Sequence, residues 1–200
     1  MSLIRCVTDR TPCGVYVPIG QTGPILEGLR GTCALRVAVQ PPGRWGRPIG
    51  YGVAMPLVPD DFDAPMTFDG PGFHLEPLAP VHNERDHEAW MSSIDHIRAT
   101  PGMRMRDWPA PMSLDENMGD MEMHWAEFED RTAFTYSILD GDDVIGCVYI
   151  YPDKAGEYDA HVRSWVRESR AEMDAVVWRS LSNWLISDWP FASIRYAERD

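Results

Sequence analysis

The stretch "SWVRESRAEMDAVVW", Ser164 to Trp178, reads as the end of a strand, a short turn and the start of a helix. That junction suits an anion. The first amides of a helix have no intrahelical acceptor, and the helix dipole turns its positive end toward them. Arg163, Arg167 and Arg170 add cations on or beside the turn, and a guanidinium grips an oxyanion through its planar fork. Glycine, which lets an anion approach the backbone closely, is missing; the last glycine of the chain is Gly156. Glu172 opposes the anion, since a carboxylate in a first turn competes for the same amides. The chemistry open to the turn is phosphate binding in which arginine has replaced glycine.

Other reactive side chains carry weaker signals. His82, Asp86 and His87 sit together at a helix start, but no HExxH or comparable spacing accompanies them, and a solvated helix face accounts for them without a metal. His124 lies beside Trp125, one position off an apolar stripe. The carboxylates Asp115, Glu116, Asp120, Glu122, Glu127 and Glu129 cover the rest of that helix; lining a cleft, they would favour a cationic amine. Cys6, Cys13, Cys33 and Cys147 match neither a paired zinc motif nor a compact disulfide framework, and read as reduced thiols, with Cys147 inside a strand.

The elements that must position these groups follow from periodicity. Composition shifts near residue 60, giving an N-terminal arm and hairpin (1–60), a polar linker (61–72) and a main domain (73–200). The hairpin is expected from "TCALRVAVQ" (32–40) and "IGYGVAMPLV" (49–58), joined by "PPGRWGRP" and preceded by an irregular arm. In the main domain "FHLEPLAP" is a first strand, and Trp90, Ile94 and Ile97 mark a helix over 81–99. Ser113 and Glu116 form a capping box, after which Leu114, Met118, Met121, Trp125 and Phe128 make one stripe. "AFTYSILD" and "VIGCVYIYP" are hairpin strands around "GDD", and "YDAHVRSWVR" is a third strand. Ser169 and Glu172 suggest a second capping box. Val177, Leu181, Trp184 and Leu185 are the stripe of a helix running to about Asp188, and "SIRYAER" closes the fold as a strand. The class is α/β: a mixed, mostly antiparallel sheet with helices on both faces and a final β-α-β crossover.

Bulk properties exclude several roles. With 31 acidic against 18 basic residues and a net charge of −13, neither nucleic acid nor an anionic membrane is the expected main partner. No run of eighteen apolar residues and no export signal is visible, so a cytoplasmic location is expected. Trp45 and Tyr51, in the expected hairpin, are candidate homodimer contacts.

From Phe73 to Ala197 the ordered phrases "FHLEPLAP", "WPAPMSLDENM", "FTYSILDGDDVIGCVYIYP" and "HVRSWVRESRAEMDAVVWRSLSNWL" resemble the Gcn5-related N-acetyltransferase (GNAT) superfamily. The resemblance implies acetyl-CoA as co-substrate, lying in a V between splayed strands, with its pyrophosphate on an Arg/Gln-x-x-Gly-x-Gly/Ala turn. Here the V is expected between strands 144–152 and 158–167. Arg167 fits the first position of the turn, while Arg170 and Glu172, or Ala171 and Met173 one place on, stand where the family has small residues. The implied cofactor-binding set is Trp165, Val166, Arg167, Ser169, Arg170, Ala171, Met173 and Asp174, with amides near Trp165 and Val166 polarising the thioester carbonyl. By the same resemblance the base is Asp159 or His161, and a histidine has a suitable ordinary pKa.

The resemblance further implies direct acyl transfer, in a ternary complex, to an amine of a small molecule or protein. Family members continue past the fifth strand into a helix and two strands that often supply a tyrosine acid, whereas this sequence ends at Asp200; residues 32–58 are expected to fill that place. The missing glycines and tyrosine favour the alternative of a GNAT-like binding or assembly module without transferase activity.

Overall fold

A computed structural model describes residues 3–8, 11–16, 55–105 and 107–199. The chain divides into two compact units, 1–50 and 51–200. In the first, β1 (Leu3–Thr8) and β2 (Thr11–Tyr16) pair antiparallel, with Cys6 opposite Cys13 in the register. The irregular arm expected here is therefore in part a hairpin. Its β-branched and aromatic residues outweigh Pro12 and Gly14, which a two-stranded edge tolerates. The hairpin expected over 32–58 lies outside the described residues except for 55–58, as do its expected place in the sheet and the dimer contacts. Residues 55–58 are not strand: Leu57 donates its amide to the Arg131 carbonyl, and Val58 enters the core.

The second unit is built on a six-stranded sheet, with strands in the order β3 (Phe68–Gly70), β4 (Phe73–Pro77), β5 (Phe134–Asp140), β6 (Asp143–Tyr151), β7 (Ala160–Val166) and β8 (Ile194–Tyr196). Every neighbouring pair is antiparallel except β7–β8, which is parallel across α4 (Asp174–Ser187). This is the mixed sheet with a closing crossover that the sequence implies. β3 falls within the expected linker, where Phe68 stacks on Trp184 with ring centroids 4.8 Å apart.

Alternation along β6 and β7 divides two cores. Cys147 and Trp165 pack with Trp90, Ile97 and Met121 on one face. Val148, Ile150, Val162 and Val166 pack with Val177, Leu181, Trp184 and Leu185 on the other. The apolar stripe of α4 is thus buried as its spacing requires. β6 approaches β7 closely at Gly146, where a Cβ would meet the Trp165 carbonyl oxygen at 2.1 Å.

Three further elements differ from expectation. The helix over 81–99 is broken into α1 (Asn83–Met91) and α2 (Ile94–Ala99), after a 3-10 turn at Pro80–His82. The break is at Ser92 and Ser93: the Ser92 hydroxyl donates to the Ala89 carbonyl, offering the backbone an alternative to continued helix. In α3 (Leu114–Glu129) the Ser113–Glu116 capping box is present in both directions. Its stripe, however, is displaced. Met121 and Phe128 are buried, but Leu114 is exposed and Asn117 goes inside instead. Asn117 accepts from Trp90 Nε1 (3.0 Å) and donates to Asn83 Oδ1 (2.8 Å) and Asp86 Oδ2 (3.3 Å). The second capping box does not form. Residues Glu168–Met173 are a 3-10 turn with no side-chain cap, and the Glu172 carboxylate accepts from Arg170 Nε at 3.2 Å.

Candidate functional site

The V expected between strands 144–152 and 158–167 is absent, because β6 and β7 pair without interruption from Gly146–Val166 to Tyr151–His161. The divergence lies one strand further on. The β7–β8 register ends at Val162–Tyr196, beyond which the outer edge of β7 has no strand beside it among the described residues. Arg199 enters there, donating to the Ser164 carbonyl (3.0 Å) and the Asp174 carboxylate (2.7 Å). Strand alternation turns the Val166 amide to this same edge, since the Arg167 amide on the opposite side is held by the Ile145 carbonyl.

On the helical face over β6 and β7 is a cavity of about 600 Å³, with Tyr149, Tyr151, His161 and Arg163 on its floor and Asp120 and His124 of α3 on its wall. A neighbouring cleft of about 700 Å³ beside β8 shares His161, Arg163 and Arg195 with it. The sheet register explains this meeting: Tyr151, His161 and Arg195 stand opposite one another across three strands, and Tyr149 and Arg163 form the next row. Trp108 closes the aromatic side, edge-on to Tyr149 with centroids 6.2 Å apart.

His124 stands on the cavity wall with a carboxylate beside its ring. Its Nδ1 lies 3.2 Å from Glu127 Oε2, and the Tyr151 hydroxyl donates to the same carboxylate oxygen at 3.3 Å. A carboxylate accepts only, so the tautomer that donates Nδ1–H to Glu127 leaves Nε2 with a lone pair; the Thr135 and Tyr151 hydroxyls, each 3.3 Å from Nδ1, accept from that tautomer and donate to the other. Helical spacing of three residues makes the pair, and the sequence contained both members, but only the fold brings Tyr151 to them. Burial, and secondarily the Glu127 charge, raises the Tyr151 pKa, so its hydroxyl remains a donor. His161, expected as a base, does line the cavity. Burial first, then Arg163 and Arg195, lower its pKa, which keeps the ring neutral at neutral pH. Asp159, the other expected base, turns to the 191–193 turn and accepts from the amides of Ala192 (2.7 Å) and Ser193 (2.8 Å).

The expected cofactor-binding residues are dispersed around the turn. Trp165 is buried and donates Nε1 to the Tyr149 hydroxyl at 3.2 Å; Val166 is buried; Ser169 and Ala171 are exposed. Met173 packs against the core, and Asp174 is taken by Arg199. Arg167 grips Glu88 with both terminal nitrogens (2.7 and 3.0 Å), and Arg170 holds Asp140 (2.6 Å) and Glu172. Two of the turn amides are spent as well: Glu168 on Ser93 Oγ and Arg170 on the Arg167 carbonyl.

These ion pairs are exchangeable. Their carboxylates, Glu88, Asp140 and Glu172, are 64%, 47% and 69% exposed, and such pairs contribute only about 0–1 kcal/mol each. A phosphate offering more oxygens to the same forks displaces them at little cost. His82, Asp86 and His87 diverge. His82 is buried against Glu76, His87 reaches the Met112 carbonyl, and Asp86 faces Asn117. Among the described residues no cluster could hold a metal, and no helix is long and apolar enough to cross a membrane.

No family model matches the chain, and no curated protein matches it in sequence. Its fold is similar to several solved structures. One is the ribosomal-protein-S5-alanine acetyltransferase of Vibrio fischeri, 12% identical, aligned over 60% of this chain and 67% of that chain with a TM-score of 0.46. A second is the microcin C7 self-immunity acetyltransferase MccE, solved with acetyl-CoA and AMP: 13% identical, 58% and 63% covered, TM-score 0.45. A third is RimJ of Mycobacterium smegmatis, solved with CoA-disulfide: 15% identical, 55% and 52% covered, TM-score 0.43. The chain spans from about half to two thirds of the length of these structures.

Proposed function

We propose that the protein is a GNAT-type acyltransferase, moving an acetyl or related acyl group from acyl-CoA to an amine by direct attack in a ternary complex. The observation that carries this reading is His124, backed by Glu127, on the wall of a cavity that also takes in Arg163, the first β7 residue past the β7–β8 pairing. Acyl-CoA, as co-substrate, supplies an activated thioester carbonyl. The chain supplies the rest. Arg167 and Arg170 hold the phosphates, exchanging their present carboxylates for them. The Val166 amide, on the edge of β7 that carries no strand there among the described residues, is the donor for the carbonyl oxygen. His124 Nε2 takes the proton from the acceptor nitrogen, while Glu127 fixes the ring and stabilises the imidazolium that forms. No cysteine of the cavity is placed to carry the acyl group; Cys147 is fully buried, and burial raises its pKa.

One observation favours the second reading, a GNAT-like module without transferase activity: Arg199 lies in the divergence of β7 and β8, with Ser164 and Asp174 as partners. Calorimetric titration with acetyl-CoA separates the two. Transferase function is expected to give micromolar affinity that falls at least about tenfold in an Arg167→Ala, Arg170→Ala double variant, since each lost charge-assisted contact costs 1.5 kcal/mol or more. No heat and no thermal shift up to millimolar ligand would favour the module.

A further inference from the structure

Arg163 stands apart from the other cavity arginine. Arg195 is paired with Glu157 at 2.9 Å and lies 3.7 Å from Asp153. Arg163 has no acidic partner among the described residues, and its Nε is buried without an acceptor. In a chain with 31 acidic and 18 basic residues this runs against the trend of the whole surface. A guanidinium carries a permanent charge, and leaving its buried Nε–H unmatched costs free energy unless an acceptor fills it. Its position is also central, on the floor of both cavities and opposite Tyr149 in the register. The charged side chains lining the 600 Å³ cavity are Lys154, Arg163 and Arg195 against Asp120 and Asp153, one more cation than acid.

We infer that Arg163 anchors a carboxylate of the acceptor, which is a free amine of amino-acid type with an apolar or aromatic body. This rests on the acyltransferase reading for the amine's fate, not for its binding. The same cavity offers complementary groups for each part of such a molecule. Arg163 receives the carboxylate through its fork, and His124 receives the amino group. Trp108, Met105 and Met123 also line the cavity, with the stacked rings of Tyr149 and Tyr151 (interplanar 16°), and give the apolar side chain on the same carbon a surface to pack on. A peptide N-terminus, whose neighbouring carboxyl is an amide, lacks the group that Arg163 is left to bind.

Matched pairs of ligands test this without acyl-CoA. L-phenylalanine, L-tryptophan, L-leucine and L-methionine are titrated into the full chain beside their decarboxylated amines, and into Arg163→Met and Arg163→Lys. At least one amino acid is expected to bind about tenfold or more tighter than its amine. Arg163→Met abolishes that preference without altering amine affinity or lowering thermal stability, and Arg163→Lys keeps part of it. Equal affinity for acid and amine, a preference that survives in Arg163→Met, or no binding by any amino acid at 10 mM (about a millimolar-range ceiling for a specific site) overturns the assignment. A separate acetyl-CoA titration reports on the transferase reading; its failure with amino-acid binding intact leaves an amino-acid site without transfer.

Discussion

His124→Ala is expected to lower kcat for amine acylation by about 10²–10³-fold, the usual contribution of a positioned general base. The effect should fall on kcat far more than on KM for acyl-CoA, because the imidazole acts on the acceptor nitrogen and touches no phosphate. Glu127→Gln keeps the shape but offers Nδ1–H a neutral acceptor; a loss of about tenfold is expected as the imidazolium loses its counter-charge. His161→Ala serves as the comparison. Its ring lies among the cations Arg163 and Arg195, which disfavour the protonated form a base must reach. Its removal should cost less than His124→Ala. Initial rates of thiol release at saturating acyl-CoA check all three, and a larger loss for His161→Ala would move the base to β7.

Asp86→Asn is expected to stabilise the protein at pH 7 by about 2–3 kcal/mol. Asp86 is buried, and burial raises its pKa from 3.8 to about 6 despite the Asn117 hydrogen bond and the nearby His124 and His87. Between those two pH values the native state retains a proton that the unfolded chain has released. Stability due to this group is therefore greatest below about pH 4, falls as pH rises, and reaches its full deficit above about pH 6. The variant removes the deficit, so its advantage should vanish below pH 4. Urea unfolding of both proteins from pH 4 to 8 checks this, and a difference constant across the range would show that Asp86 does not titrate as its burial implies.

The sheet was legible in the sequence because its strands alternate cleanly and its turns are marked. Val148, Ile150 and Val162 face one core while Cys147 and Trp165 face the other, as a period of two requires. The α4 stripe was equally legible. What failed was local polar competition. The Ser92 hydroxyl breaks a helix that Trp90, Ile94 and Ile97 appear to continue, and buried Asn117 displaces the α3 stripe by satisfying Trp90, Asn83 and Asp86 at once. A 3.6-residue period cannot reveal that an amide has three partners waiting inside.

The site was legible only by halves. His161 and the arginines could be read from one strand and its turn. The exchange of Arg167 with Glu88 and of Arg170 with Asp140 could not, because those partners are 79 and 30 residues away. The role proposed for His124 was hidden for the same reason. A histidine beside glutamates on an acidic helix resembles a solvated face until β6 brings Tyr151 to the pair and the sheet makes the cavity floor.

The most direct test of acyl transfer is a product balance. The protein is incubated with acetyl-CoA and a panel of amines, and free thiol and N-acetyl amide are quantified together. Equal amounts of both, each formed about 10²–10³-fold more slowly by the His124→Ala variant, are the expected result. Thiol without amide, or acetyl-CoA recovered intact with every amine, would contradict the account and leave the fold as a binding module.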